Sequence, residues 1–477
     1  KLNLNSVSSP TDGNAQNSGI VVKATTDKTL LYYDSSENYI ITSTNEYNVA
    51  NVTQQQKILA GNGSSGDRFG GDAGGKGVGI YGDYAIVGAR WEDGSKLEGG
   101  AVYVYHISNG VWSEESRLYT SDIDHYDYIG GKVAIYGDYF IIGAAGQEVG
   151  SGSEHGSAYI FYRSNGSWSQ QAKLTASDAT SGARFGNAVG IYGDYAIVGA
   201  YNMTGGGAAY IFLRDGTSWS QQAKITASDA DSSWGQFGYN LGIYGDYVVV
   251  GAHNNNDEGT NTGSAYIFYR DGTSWSQQAK LTASDAAAED YFGYNVDIYG
   301  DYVIISGHGN DDGAAAAGSA YIFYRDGTSW SQQAKLTPSD PGNTDHFGFD
   351  VAIYANYAIV GAYKDDDSGT DRGSIYTFSR SGTTWTQQQK ILASDGQADD
   401  MFGGSIAAYE GTFIVGAIKD DDKGTDSGSA YIFTIPYLET AAVRDEPRWH
   451  TNIDFDVSGD LHFTGELYKN GSVINTG

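Results

Sequence analysis

One phrase of about ten residues recurs along this chain and limits its possible folds more than any other feature. It reads IYGDYAIVGA at residue 80, and variants of it begin at 135, 191, 243, 298, 353 and 408. The spacings between successive copies are 55, 56, 52, 55, 55 and 55 residues. A period this regular indicates an array of similar structural units, each of which buries its apolar surface against its neighbours.

A single unit, residues 291–340, contains four short runs rich in strand-forming residues: YNVDIYG, YVIISG, SAYIFYR and SWSQQAKLT. Tyr, Ile, Val, Phe and Trp favour β-strands, and turn signals such as the Asp-Gly of RDGTSW separate the runs. No run shows the 3.6-residue apolar period of a helix. Four antiparallel strands in each repeat predict an all-β fold, a β-propeller built of four-stranded blades.

The number of blades follows from counting the motifs. The third-strand motif, of the type GSAYIF, occurs seven times, whereas the fourth-strand motif that begins with Trp follows only six of them. The missing copy stands at the other end of the chain, because NVTQQQKILA at 51–60 nearly repeats TWTQQQKILA at 384–393, with Val52 in the place of Trp385. We therefore expect the N-terminal strand to complete blade 7, which closes the ring and removes two open sheet edges. The predicted domains are a seven-bladed propeller at 51–434 and small β-rich flanking segments at 1–50 and 435–477.

The order Phe-Gly, strand, GDYAIVGA, loop and GSAYIF resembles the FG-GAP repeat, the blade of integrin-α-like propellers. The resemblance recurs seven times and implies the fold, but it does not imply a function. Many FG-GAP repeats carry a calcium loop of the type D-x-D-x-D-G between their first two strands, whereas that connection here is YGDY, with one carboxylate. That calcium site is therefore not carried over, and we expect the Asp of YGDY to bond its own backbone in a tight turn.

The composition limits the partners of the chain. There are 58 acidic and 28 basic residues, which gives a formal net charge of -30. This charge argues against a nucleic-acid partner and against anionic membrane surfaces, and it favours cations or basic partners. The chain has no cysteine, which excludes disulfides and thiolate metal sites. No apolar run approaches the ~18 residues of a membrane span, so we expect no membrane insertion.

The connections between strands divide over two faces of such a propeller. The 1–2 and 3–4 turns lie on one face and are short here, whereas the 2–3 loops and the 4–1 crossings lie on the other face and are long and acidic. Loops that vary on a constant scaffold are the expected working surface. Five further Asp stand two residues before the Phe-Gly or Ile-Gly that opens a blade, and we expect them near the axis: Asp67, Asp127, Asp290, Asp345 and Asp400.

Two acidic loops are candidates for a cation site. The loops KDDDSGTDRGS and KDDDKGTDSGS belong to blades 6 and 7 and could hold Ca²⁺ through carboxylates and loop carbonyls. The predicted metal ligands are Asp365, Asp367 and Asp371 in blade 6, and Asp420, Asp422 and Asp426 in blade 7. The alternative is a pair of solvated acidic turns, and the sequence indicates no cofactor other than Ca²⁺.

Four other side chains are candidates for ligand contact on the acidic face. Trp91 and Trp234 break the repeat pattern and fall in a 2–3 loop and a 4–1 crossing. His253 and His308 occupy equivalent loop positions in blades 4 and 5. The Trp that begins each fourth strand is expected to pack in the core instead, since a large ring at a repeated position typically anchors packing.

The sequence contains no catalytic motif of the P-loop, H-E-x-x-H or G-x-S-x-G type, and we predict that the chain is not an enzyme.

In the flanks, VSGDLHFTGELYKNGS resembles the β segments of virus and phage fibre or tail proteins, in which Gly and Asn turns separate short strands. This resemblance implies a virion-surface or extracellular fibre protein whose propeller attaches to a host-surface glycan or protein. Its other partners would be virion or fibre subunits, and the flanks could join a homo-oligomer. The alternatives are a purely architectural virion or cell-surface subunit and a secreted propeller enzyme acting on polysaccharide.

Overall fold

The structure, a computed structural model, describes residues 52–435 apart from 72–73, 95, 148–154 and 231–234, together with five short strands outside that range. The described residues form strands, turns and bends. Among them, no helix is long and apolar enough to cross a membrane. The outlying strands form two small antiparallel sheets, namely Val21–Lys23 with Thr29–Tyr32 and Ile40–Ser43, and Leu467–Lys469 with Ser472–Ile474.

Seven four-stranded antiparallel sheets make up residues 53–434, which confirms the predicted all-β propeller with seven blades. The strands of blades 1 to 3 are Val78–Tyr81, Tyr84–Ala89, Ala101–Ser108 and Val111–Leu118; Val133–Tyr136, Tyr139–Ala144, Ser157–Ser164 and Ser167–Leu174; and Ala188–Tyr192, Tyr195–Ala200, Ala208–Asp215 and Ser218–Ile225. The strands of blades 4 to 6 are Leu241–Tyr244, Tyr247–Ala252, Ser264–Asp271 and Ser274–Leu281; Val296–Tyr299, Tyr302–Gly307, Ser319–Asp326 and Ser329–Leu336; and Val351–Tyr354, Tyr357–Ala362, Ser374–Ser381 and Thr384–Ile391. Blade 7 consists of Phe402–Tyr409, Thr412–Ala417, Ser429–Thr434 and Thr53–Ile58.

The first strand of each blade lies innermost, because it contacts the first strands of both neighbouring blades, and blade 7 contacts blade 1 in the same way. The Tyr of each first strand packs against the next around a closed circle, with ring centroids 4.3–5.8 Å apart. The circle comprises Tyr81, Tyr136, Tyr192, Tyr244, Tyr299, Tyr354 and Tyr409. The repeated phrase therefore supplies the inner hairpin of every blade and a girdle of aromatic rings around the axis.

The outer strand of blade 7 comes from the other end of the chain, as the sequence predicts. Thr53–Ile58 pairs antiparallel with Ser429–Thr434, with Ala430 opposite Ile58 and Thr434 opposite Thr53. Val52 lacks the indole N–H of the Trp it replaces, and its backbone N–H donates to Gln389 Oε1 instead, at 3.1 Å. The prediction that the N-terminal strand closes the ring is confirmed.

Glutamines of the fourth strand join each of blades 2 to 7 to both neighbours, whereas blade 1 has Glu114 and Glu115 at these positions. In blade 2, Gln170 accepts the backbone N–H of Ser121 at 2.8 Å and donates to its Oγ at 3.1 Å, on the side of blade 1. Gln171 is left unpaired by a β-bulge, and it accepts the indole N–H of Trp219 in blade 3 at 2.9 Å. The same Trp–Gln bond recurs between later blades. Since these Trp rings are buried or half-buried between blades, their predicted role in packing is confirmed.

Glycine sets the distance between neighbouring blades near the axis. A Cβ atom at Gly88, in the second strand of blade 1, would lie 1.7 Å from the carbonyl oxygen of Gly130, which opens blade 2. Only a residue without a side chain allows backbones to approach this closely. The Gly of the Gly-Ala pair in one blade therefore contacts the Gly of the Phe-Gly or Ile-Gly pair that opens the next blade.

Ring closure can be tested with engineered disulfides, because the chain has no cysteine of its own. Thr53 and Thr434 face each other across the closing pair, and Ser379 and Thr386 hold the same register within blade 6. A Thr53→Cys/Thr434→Cys disulfide closes a loop that spans the ring, whereas Ser379→Cys/Thr386→Cys closes a short hairpin. The longer loop should add about 3 kcal/mol more to the free energy of unfolding than the shorter one. Denaturant unfolding with and without a reductant measures both effects, and equal stabilisation by the two disulfides would contradict a ring held shut at this seam.

Candidate functional site

The two faces of the propeller are formed by different connections between the strands. We call the face with the 2–3 loops and 4–1 crossings the loop face, and the face with the 1–2 and 3–4 turns the turn face. Both ends of the described propeller lie on the turn face, because Thr53 begins a fourth strand and Thr434 ends a third strand. Ile435 donates its backbone N–H to Gly411 O in a 1–2 turn at 2.8 Å. The loop face therefore lies opposite the points where the chain enters and leaves the ring.

Charges on the turn face are paired within single blades. Arg163 Nη2, near the end of the third strand of blade 2, lies 2.6 Å from Asp138 Oδ1 in the YGDY turn of the same blade, and the Arg163 guanidinium stacks over Tyr84 of blade 1 at 4.2 Å. Equivalent ion pairs form in blades 3, 4 and 5. The expectation that this Asp bonds its own backbone misses this partner, because sequence spacing does not show that the two turns of a blade meet.

On the loop face, a lysine near the end of a fourth strand gathers acidic side chains. Lys390 Nζ lies 2.9 Å from Asp340 and 2.7 Å from both Asp365 and Asp367. The hydroxyl of Tyr376 donates to Asp340 and Asp365, each at 2.9 Å. The three carboxylates come from two connections, a crossing and a 2–3 loop, so the ammonium group ties those connections together.

Blade 7 repeats this cluster with the ring-closing strand. Lys57 Nζ lies 2.9 Å from Asp395 and 2.7 Å from both Asp420 and Asp422. Tyr431 donates its hydroxyl to Asp395 Oδ1 at 2.8 Å. The closing strand is therefore held by ion pairs as well as by its backbone ladder.

These contacts differ from the predicted calcium loops. In each loop, the first two predicted ligands surround an ammonium group of the chain itself. The third ligands lie elsewhere: Asp426 Oδ2 is 3.9 Å from Arg68, and the carbonyl of Asp371 accepts the N–H of Met401 at 3.1 Å. Across the described residues, no three His, Asp or Glu side chains converge as a ligand set for a metal ion. In each loop a lysine of the chain therefore lies between the first two predicted ligands, and calcium binding there stays a prediction.

The five Asp that precede the blade-opening Phe-Gly or Ile-Gly are buried and cap local turns. In each, Oδ2 accepts the backbone N–H of the residue three positions earlier at 2.6–2.8 Å; the carboxylates are those of Asp67, Asp127, Asp290, Asp345 and Asp400. Desolvation by burial raises the pKa of Asp127, Asp345 and Asp400 to about 6. Their position is explained by the turn, since an Asp carboxylate satisfies a backbone donor that the loop leaves open.

The two predicted histidines meet in one aromatic cluster. His253 packs against Tyr239 and Tyr294 with centroids 4.4 and 5.2 Å apart, and His308 packs against Tyr294 at 4.2 Å. Burial lowers the pKa of His253 to about 3 and that of His308 well below its usual value. Both rings are therefore neutral at pH 7 and serve as packing within the loop face.

Residues 74–76 lie among the inner strands of several blades, a placement that sequence reasoning missed. The connection into blade 1 carries extra residues in GGDAGGKG, and Lys132 of blade 2 donates to Gly74 O and Gly75 O at 2.5 and 2.6 Å. Lys76 donates its backbone N–H to Asp350 Oδ2 of blade 6 at 3.1 Å. The segment therefore reaches across the axis, and the extra length of this one connection was the available signal.

Trp91 lies on the loop face in a group that differs from the other blades. The guanidinium of Arg68 stacks over Trp91 at 4.8 Å, and that of Arg90 stacks over Tyr128 at 4.7 Å. Tyr126 donates its backbone N–H to Leu97 O at 3.0 Å. We call this group the blade 1–2 patch: Arg68, Arg90, Trp91, Leu97, Tyr126 and Tyr128. The other predicted tryptophan, Trp234, falls at 231–234, outside the described residues.

Seven segments of the chain match the FG-GAP repeat, at residues 52–105, 112–161, 168–212, 219–268, 275–323, 330–378 and 385–433. Each segment begins in the fourth strand of one blade and ends in the third strand of the next, so the first match includes the ring-closing strand. No curated protein matches the chain.

Removal of one ammonium group tests the lysine clusters. Lys390→Met leaves Asp365, which is 1% exposed, without its cation, and loss of one partner of a buried ion pair typically costs about 3–5 kcal/mol. Lys173→Met is the matched control, because among the described residues the carboxylate paired with Lys173 Nζ is the half-exposed Asp122, at 2.7 Å, and an exposed pair contributes about 1 kcal/mol or less. Denaturant unfolding of both variants gives the two costs, and equal small losses would refute the role assigned to Lys390.

The same variant tests calcium. Added Ca²⁺ should raise the melting temperature of Lys390→Met, whose carboxylates have lost their ammonium partner, and should leave the wild-type melting temperature unchanged. A wild-type melting temperature that rises in Ca²⁺ and falls in chelator would establish the predicted calcium loops.

A second prediction concerns pH. Because the pKa of Asp127 is raised to about 6, the folded chain binds this proton at higher pH than the unfolded chain, whose Asp titrates near ~3.9. The contribution of Asp127 to stability is therefore present below pH ~4 and is lost as pH rises through 6. Asp127→Asn still accepts the Asp124 N–H, so relative to wild type it should gain about 1–3 kcal/mol in unfolding free energy between pH 4 and 7.5. Unfolding curves across this range measure the gain, and a difference that does not change with pH would contradict it.

Proposed function

The chain belongs to the FG-GAP repeat family, and from that premise we propose that its propeller is an attachment module that binds its ligand through the loop face. A β-propeller of FG-GAP repeats indicates a role in protein interaction or adhesion, and such propellers are typically non-enzymatic binding or structural domains. The loop face carries the connections that vary from blade to blade, which is where a constant scaffold places recognition.

The observation that carries this proposal is the position of the chain ends. Val52 and Ile435 both lie on the turn face, where Val52 bonds Gln389 and Ile435 bonds Gly411. The loop face lies opposite the two points where the described chain enters and leaves the ring, and its loops are therefore open for attachment.

The fibre-like sequence of the flanks supports a more specific form of the proposal. The protein would stand at a virion surface or in another extracellular setting, with a host-surface glycan or protein as ligand and other fibre subunits as partners. Oligomerisation would run through the flanks, whose remaining residues lie outside the described ones. Calcium assistance would require displacement of Lys390 or Lys57 from the acidic loops.

A second candidate function is a purely architectural subunit. The internal ion pairs of blades 6 and 7 favour it, because they neutralise part of the acidic loop face with lysines of the chain itself. In that case the loop face would contact other subunits of the same particle instead of a host ligand.

Cysteine labelling distinguishes the two faces in the full chain. Thr260→Cys places a label on the 2–3 loop of blade 4, and Thr273→Cys places one on the 3–4 turn of the same blade; both residues are exposed. A large polyethylene glycol chain attached at 260 should block binding to a panel of cells and a glycan array, whereas the same chain at 273 should not. Blocking from 273 alone would place the site on the turn face, and absence of binding by the unlabelled protein would refute attachment in favour of the architectural role.

A further inference from the structure

We propose that His253 and His308 form an acid-sensitive element on the loop face, which holds the connections of blades 4 to 6 together while both rings are neutral and releases them when the rings are protonated. This inference goes beyond the proposed attachment function and does not depend on it. His253 directly follows the second strand of blade 4, Tyr247–Ala252, and His308 directly follows that of blade 5, Tyr302–Gly307. The two rings therefore stand at the base of neighbouring 2–3 loops.

Aromatic contacts join these two loops to the crossings beside them. The ring of Tyr294, at the opening of blade 5, lies 5.2 Å from that of His253 and 4.2 Å from that of His308. Tyr291, in the crossing into blade 5, stacks on His308 with centroids 5.4 Å apart. The ring of His308 also lies 5.5 Å from that of His346, in the crossing into blade 6. One series of ring contacts therefore spans the loop-face connections of three blades.

The repeat itself does not require this cluster. Blades 4 and 5 carry a Tyr two residues after the blade-opening Phe and a His directly after the second strand. Blades 1, 2 and 7 have glycine at the first of these positions and no histidine at the second, yet they form the same four-stranded sheets. The His and Tyr side chains are therefore a local addition to the propeller, and their effect can be separated from that of the fold.

The surroundings of the two rings suit a neutral imidazole and not a charged one. The Nδ1 atoms of His253 and His308 are buried, and neither has a hydrogen-bond partner among the described residues. A protonated imidazole donates from both nitrogens and carries a positive charge, which is costly to bury without an acceptor. Burial lowers the pKa of His253 to about 3, and burial together with the neighbouring histidines lowers the pKa of His308 well below its usual value.

The side chains that face the two rings offer little compensation for such a charge. They are aromatic: Tyr239, Tyr291, Tyr294, Phe349 and His346. Burial lowers the pKa of His346 as well, and the charged groups that act on it are Lys364 and Asp371. The attraction of a cation to an aromatic ring is weaker than the cost of burying an unpaired charge. Protonation of the cluster therefore favours a state in which the rings reach water.

The carboxylates of the adjoining connections are engaged elsewhere. In the crossing into blade 5, Glu289 accepts the hydroxyl of Tyr291, and Asp290 accepts the backbone N–H of Ala287. In the 2–3 loops of blades 4 and 5, Asp257 and Asp312 pair with lysines of the fourth strands. None of these four carboxylates is therefore placed to accept a proton-bearing nitrogen of His253 or His308.

The direction of the pH effect follows from these pKa shifts. In an opened loop each histidine binds its proton near pH ~6.5, whereas in the closed cluster it does so only at lower pH. The equilibrium constant for opening should therefore rise ~25-fold between pH 7 and 5 for each ring that is protonated only in the open state. Burial raises the pKa of Asp290 and Asp345 in the adjoining crossings, and their titration has the opposite sign. The effect of the histidines is therefore measured as a difference between variants.

Hydrogen–deuterium exchange of the full chain at pH 7 and pH 5, corrected for the intrinsic exchange rate, tests the proposal. In the wild type, amides at 253–263, 289–294 and 308–318 should lose protection at least ~25-fold at pH 5, whereas the turn face keeps its protection. His253→Phe/His308→Phe retains two aromatic rings without a titrating nitrogen and should abolish this loss. His253→Gln/His308→Gln should abolish it as well, which separates the effect of charge from that of ring packing.

His106→Phe is the matched control. The ring of His106 also stacks on a tyrosine, Tyr84, with centroids 4.7 Å apart, but it is half-buried in the third strand of blade 1 and lies outside the cluster. This variant should keep the full response of the wild type to acid. Equal wild-type protection at pH 7 and pH 5, an unchanged response in both double variants, or an equal loss of protection on the turn face would overturn the proposal.

Discussion

The backbone pairing between Thr53–Ile58 and Ser429–Thr434 is the interaction on which the molecule depends. Each blade packs against two neighbours, and glycine contacts and Gln–Trp bonds reinforce several of these contacts, so an open ring would leave two blades with one unsupported side each. Closure also fixes the position of the chain ends, because the closing strand enters beside the last third strand on the turn face. The division into a face that carries both chain ends and a face opposite them follows from this single pairing.

Part of the acidic charge of the chain is paired with lysines inside the blades. Lys390 and Lys57 each hold three carboxylates from two connections, and buried carboxylates without a cation would destabilise the loops. The loop face is therefore acidic, with part of its charge neutralised by lysines of the chain in blades 6 and 7. Blade 1 departs from this arrangement, because it pairs Glu92 with Arg117 at the base of its loop and exposes Leu97 there.

The sequence predicts the fold well because repetition exposes the role of each position. The near identity of 51–60 and 384–393 reveals the closing strand, and Val52 even identifies the one fourth strand without its Trp. The lysine clusters could not be predicted in the same way, because Lys390 meets Asp340 and Asp365 only after strand register and blade packing bring three separate segments together. A signal was nevertheless present, since a basic residue holds the same fourth-strand position in every blade, as Lys173 and Lys224 illustrate. The burial of His253 and the axial segment at Gly74 depend on the convergence of blades at the axis, which no local pattern encodes.

Hydrogen–deuterium exchange of the full chain, bound to its target surface and free, would report directly which face makes contact. The account predicts slower exchange on binding in the 2–3 loops and 4–1 crossings of the loop face, with unchanged exchange in the 1–2 and 3–4 turns. Slower exchange confined to the turns, with the loops unaffected, would contradict attachment through the loop face and would assign the turn face to the partner.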